Sequence, residues 1–117
     1  MSGTVSYHAG VAAEDCVARG YERRGLPIAA RRWRGRSGEI DLIARDGDGL
    51  VFVEVKKSRS FARAAERVSR RQMDRVMRAA LEFLAGEPRG QLTDIRFDVA
   101  LVNGMGEVDI LENAFCA

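Results

Sequence analysis

Glu39 and Asp41 lie two residues apart, and so do Glu54 and Lys56. Side chains alternate along a β-strand, so each pair shares a face if both stretches are strands. Between the pairs stands Asp46-Gly47-Asp48-Gly49, a strong hairpin-turn signal. A four-residue loop and a two-residue turn at Gly47-Asp48 give the same register. Either sets Asp41 opposite Glu54 and Glu39 opposite Lys56. Directly opposed Cβ atoms are roughly 4.5–5.5 Å apart. Two carboxylates at that separation can hold one divalent cation through oxygen ligands.

The neighbours sharpen this reading. Leu42, Ile43, Val51, Phe52 and Val53 are apolar without clean alternation, which predicts strands covered on both faces. Acids within them are partly desolvated and repel each other, and a cation resolves that conflict. Mg²⁺ suits the site because it keeps several waters and takes few protein carboxylates, and Mn²⁺ is the natural substitute. A cation so held can lower the pKa of water and polarise a phosphodiester oxygen. The Lys56 ammonium can orient that water or offset developing negative charge. Of the 19 basic residues only Lys56 and Lys57 are lysine. A chain that otherwise uses arginine thus retains here an amine whose pKa its surroundings can tune. The competing reading is a solvated hairpin with a cross-strand Glu39–Lys56 salt bridge.

The elements that must position these groups are legible in outline. Helical periodicity runs from about Ser6 to Arg19, with Tyr7, Val11, Ala18 and Tyr21 on one stripe, Glu14 within it, and Gly20 and Gly25 as breakers. Leu26 to Trp33, Gly38 to Arg45 and Leu50 to Lys57 read as strands. Ser69-Arg70-Arg71-Gln72 matches a capping box. A second helix therefore starts there, with apolar positions Met73, Val76, Met77, Ala80 and Leu84, and Gly86 follows its end. Ile95 to Val102 and Val108 to Leu111 read as closing strands around Asn103-Gly104. The predicted class is α/β, a mixed sheet flanked by helices in the order α-β-β-β-α-β-β, as one domain over residues 1–117.

With 117 residues, 46% hydrophobic and 31% charged, the chain has the balance of an ordinary globular domain. No apolar run reaches membrane-span length, and the N-terminus lacks a secretory pattern. Cys16 and Cys116 form no framework, which points to a reduced, cytoplasmic protein. Cys16 reads as a small buried apolar group, and His8 as a bystander. The net charge of +2 is unevenly spread. Seven arginines lie from Arg19 to Arg36 against Glu22 alone, and seven more from Arg59 to Arg78 against Glu66 and Asp74. From Thr93 onward acids dominate. A basic surface of this kind fits a polyanion. Arg31, Arg32, Arg34 and Arg36 are candidates for phosphate contact, with Trp33 available to stack on a base or to pack in the core. Arg59, Arg63, Arg67, Arg70 and Arg71 are candidates for a second edge of the same kind.

Gly38-Glu39-Ile40-Asp41-Leu42-Ile43-Ala44-Arg45, the Asp-Gly turn and Val51-Phe52-Val53-Glu54-Val55-Lys56 closely resemble the YraN family. That family comprises largely uncharacterised bacterial proteins related to the PD-(D/E)xK nucleases and the Holliday-junction resolvases. Gly20-Tyr21, Arg32-Trp33-Arg34, Arg96-Phe97-Asp98-Val99 and Asn113-Ala114-Phe115 extend the likeness over most of the chain. The resemblance implies a restriction-endonuclease-like core and metal ligation by Asp41, Glu54 and the Val55 carbonyl, with Lys56 as the catalytic lysine. It also implies that Glu14 is the first-helix acid of resolvase-like relatives and that Gln72 approaches the site. The superfamily's proline before the first acid is Ile40 here, and the strand after the second helix offers no further catalytic group. The expected function is metal-dependent hydrolysis of DNA phosphodiester bonds, at branched DNA by analogy with the relatives. Nucleic acid is the expected partner, and homodimer formation is left open. A nucleic-acid-binding module without catalysis and an assembly domain with no nucleic-acid partner are the alternatives.

Overall fold

The computed structural model describes residues 2–115, with side chains described from residue 12 onward. The expectations for Tyr7, Val11, His8 and Cys116 lie outside the described side chains. The elements run α1 (Ser2–Arg23), β1 (Ile28–Arg34), β2 (Glu39–Asp46), β3 (Gly49–Lys57), α2 (Phe61–Glu66), α3 (Arg70–Leu84), β4 (Ile95–Val102) and β5 (Val108–Phe115), with a 3₁₀ turn at Gly90–Leu92. Strand order in the sheet follows chain order. Only β3 and β4 pair in parallel; β1–β2, β2–β3 and β4–β5 are antiparallel. The parallel join needs a crossover, which α2 and α3 supply.

The apolar residues of β2 and β3 are buried on both faces, as their lack of alternation predicts. On one face α1 covers Leu42, Ala44, Val51 and Val53 with Ala13, Val17, Ala18 and Tyr21. On the other α3 covers Ile43, Leu50 and Phe52 with Val76, Ala79, Ala80 and Leu84. Gly47 adopts φ +58 in a two-residue hairpin turn, and Asp46 pairs with Gly49 across it. Among the described residues no helix is long and apolar enough to cross a membrane.

Three boundaries differ from the sequence reading. Helix α1 runs through Gly20 and ends at Arg23, because, of the two glycines Gly20 and Gly25, only Gly25 takes a positive φ. The extra helix α2 is capped by the Ser60 hydroxyl, which accepts from the Arg63 N–H. Strand β5 continues past Leu111 to Phe115 across an irregularity opposite Asp98. There Asn113 adopts φ +51, and its N–H donates to the Asp98 carboxylate. Helix α3 begins as predicted, with the Ser69 hydroxyl accepting from the Gln72 N–H.

Candidate active site

The β2–β3 ladder runs from Asp46–Gly49 to Leu42–Val53. One step further, where Asp41 would face Glu54, backbone pairing gives way to side chains. The Asp41 carboxylate accepts the Val55 N–H at 2.8 Å. The carboxyls of Asp41 and Glu54 lie within hydrogen-bonding reach of each other. Glu54 is 2% exposed, yet it is an acid on a central strand. Its carboxylate also accepts from the Gln72 side-chain amide and meets the Lys56 ammonium at 3.4 Å. Burial, then the adjoining Asp41, pushes the Glu54 carboxyl up to about 8, with Lys56 pulling the other way. Asp41, Glu54, Gln72 and the Val55 backbone thus meet at one point, held by two strands and the first turn of α3.

Glu14 reaches the same region from α1. Desolvation raises its pKa first, a hydrogen bond from Arg32 lowers it, and the charges of Asp41 and Glu39 raise it. Arg32 donates to Glu14 at 3.0 Å from a strand position with φ +49. That conformation is costly for a residue with a Cβ. The ladder places Arg31 opposite Leu42 and Trp33 opposite Ile40, so the strained residue stands across from Asp41.

Glu39 does not pair with Lys56 as the register implied. The ladder opens before reaching them, so Lys56 turns to Glu54, while Glu39 accepts from Arg34 of the neighbouring strand at 3.2 Å. Glu39 nonetheless lines the same cleft, a space of about 400 Å³ shared with Asp41, Glu54, Gln72, Arg36 and Arg75. The lip of the cleft is residues 35–38. Glu82 of α3 accepts the Arg36 N–H at 2.8 Å and the Ser37 N–H at 3.0 Å. A Cβ on Gly35 would stand 2.8 Å from the Trp33 ring and 2.9 Å from the Glu82 carboxylate, so this turn lies flat on α3.

Among the described residues no three of His, Cys, Asp or Glu stand together as a metal-binding group. The acids form a close pair, Asp41 and Glu54, with Glu14 and Glu39 engaged by arginines. This all-oxygen pair suits a hard cation that keeps most of its own waters. The raised Glu54 carboxyl is the mark of two acids crowded together out of water.

The basic residues divide. Arg31 pairs with Asp15, Arg32 with Glu14, Arg34 with Glu39, and Arg70 with Asp74. Trp33 packs edge-on against Phe83 with ring centroids 5.3 Å apart, so it belongs to the core. Cys16 is half-buried instead of buried, and Arg19 donates to its sulfur at 3.6 Å. Sequence reading missed Arg75 and Glu82. Arg75 could have been found three residues beyond Gln72, on the same side of a helix. Glu82 carried no signal, because its partners are backbone groups of a distant turn.

A family model described as "Uncharacterised protein family UPF0102" matches residues 13–102. A UPF0102 protein of Cereibacter sphaeroides strain KD131 is 70% identical over 117 residues, the whole of both chains. One of Ruegeria pomeroyi is 66% identical over 97% of this chain and 92% of its own. One of Dinoroseobacter shibae is 49% identical over 95% of this chain and 83% of its own.

Proposed function

The chain belongs to the uncharacterised protein family UPF0102, and from that premise we propose that it is a divalent-metal-dependent phosphodiesterase acting on DNA in the cytoplasm. The observation that carries the reading is the contact between Asp41 and Glu54 beside Lys56 on a central strand. A buried acid pair is costly unless something shares its charge, and a catalytic metal would do so.

In this reading Asp41 and Glu54 hold Mg²⁺ or Mn²⁺, with the Val55 carbonyl beside them. The bound ion supplies Lewis acidity toward a phosphodiester oxygen and toward water. Lys56 is held by Glu54 and faces the charge that builds on the phosphate during attack. Gln72 keeps the Glu54 carboxylate turned toward the cleft. Glu14, restrained by Arg32, closes the α1 side.

One observation favours a second reading, a binding module without turnover. Asp41 already accepts a backbone N–H and Lys56 already pairs with Glu54, so the cluster satisfies itself. A cleavage panel of linear, flapped and four-way DNA plus RNA, with Mn²⁺ and with chelator, separates the two. Metal-dependent cleavage that disappears in Asp41→Ala and Lys56→Ala supports the enzyme. Cleavage by wild type and Asp41→Ala alike, without metal, removes these residues from the mechanism. Metal-sensitive binding without cleavage of any substrate favours the module.

A further inference from the structure

The arginines of β1 spend their charge on neighbouring acids, but three of those on α3 do not. Arg71, Arg75 and Arg78 are exposed and make no ion pair or side-chain hydrogen bond among the described residues. At 100° per residue they fall within a narrow strip of the helix surface. That strip lies on the side of the helix away from the buried Met73, Val76, Ala80 and Leu84, and only its Arg75 edge turns back toward Ala79. Arg75 itself lines the acidic cleft. At 1.5 Å rise per residue the strip is about 10 Å long. Arg36 lines the same cleft, on the turn that Glu82 pins against this side of the helix.

We propose that Arg71, Arg75 and Arg78 form a rail for the phosphates of a single nucleic-acid strand, leading it to the Asp41–Glu54 pair where Arg75 and Arg36 line the cleft. The inference rests on the phosphodiesterase reading for what happens at the end of the rail, but not for the rail itself. One row of guanidiniums, one residue wide, matches one strand and not the two rims of a duplex groove. Guanidinium forks suit phosphate oxygens, and such contacts position the backbone without reading sequence. The acids below repel the same polyanion, so they do not hold the strand without a cation. The rail supplies the attraction that brings it there.

The test uses a fluorescently labelled 30-nucleotide DNA strand in chelator, so that cleavage cannot intervene, with anisotropy read across a salt series. The variants are the triple Arg71→Gln, Arg75→Gln, Arg78→Gln and, for comparison, the double Arg31→Gln, Arg34→Gln. The residues of the triple are exposed, and circular dichroism checks that each variant folds. Removing one guanidinium from a phosphate flattens the log-log salt slope by about 0.7 for a single strand, so the triple should flatten it by about 2. The double should leave the slope nearly unchanged. An unchanged slope in the triple, an equal flattening in the double, or no binding by wild type overturns the rail. Strand binding that passes this test without cleavage in Mn²⁺ leaves the rail standing and removes the phosphodiesterase reading.

Discussion

Asp41 accepts a backbone N–H, which tightens the hairpin, and presses a charge on Glu54, which loosens it. Replacement by asparagine separates the two effects, because the amide oxygen can still accept from Val55 while the charge is gone. In chelator at pH 9, where Glu54 is ionised, Asp41→Asn should be neutral or gain on the order of 0.2–1 kcal/mol. Mn²⁺ should reverse the ranking. Wild type gains about 2.7 kcal/mol at a hundredfold excess over Kd, and the variant gains less. Thermal melts of both proteins in both conditions check this. If metal moves neither melt and the variant only loses stability, Asp41 is a structural acid. Glu54 gives a second prediction. Its carboxyl ordinarily titrates near 4.5 and is raised to about 8 in the fold, so the folded state binds its proton more tightly than the unfolded one. That stabilisation is complete below pH 4.5 and is lost as pH rises through 8, at no more than about 1.4 kcal/mol per unit. Urea unfolding in chelator between pH 5 and 9 should show this fall, and Glu54→Gln should flatten it. Stability that climbs over this range in wild type contradicts the raised carboxyl. The pair was legible from sequence because one turn fixes the register around it. The partners of Glu39 and Lys56 were not, since the ladder opens before it reaches them and alternation says nothing about a strand that has lost its neighbour.

Elements were readable where their signal is local. The turn at Gly47-Asp48 and the Ser69 cap each depend on a few adjacent residues. Strand β5 was cut short because Glu112-Asn113 looks like an ending, and it continues only because of Asp98, fifteen residues before Asn113. That aspartate is fully buried. It accepts from the Tyr21 hydroxyl at 2.7 Å, from Arg96 Nε and Nη2 at 2.8 and 3.0 Å, and from the Asn113 N–H at 2.9 Å. Helix α1 and strands β4 and β5 are thereby tied to one carboxylate, which also raises the Tyr21 phenol after burial itself. Asp98→Ala should cost about 3–5 kcal/mol, since the Tyr21 hydroxyl, the Asn113 N–H and the partly exposed Arg96 guanidinium all lose a fully buried charged acceptor, and only Arg96 keeps a second partner among the described residues, Glu112. Tyr21→Phe, which removes one bond to a charged acceptor, should cost about 1.5–3 kcal/mol. Urea unfolding measures both. Equal losses from the two would mean that Arg96 and Asn113 find other acceptors.

Across the molecule, the covering of both sheet faces followed from the apolar runs of β2 and β3. The placement of positive charge did not. Composition shows two arginine-rich stretches, and only the folded neighbours reveal that the part of the first on β1, Arg31, Arg32 and Arg34, is paired with Asp15, Glu14 and Glu39. The parallel pairing of β3 with β4 also sets an order in time. The meander β1–β2–β3 and the hairpin β4–β5 close short loops, whereas β3 and β4 meet only after the whole crossover is in place, and such non-local contacts form late. In stopped-flow unfolding and refolding, Val51→Ala should mainly slow refolding, and Val76→Ala on α3 should mainly speed unfolding. The reverse assignment would place the crossover in the nucleus. A growing chain therefore displays Asp41 and Glu54 on its meander well before Gln72 and Arg75 can wall the cleft. Until Val102 has been added and β4 has docked, the two acids stand on an open sheet with no groove around them, so the cleft is the last part of the molecule to be assembled.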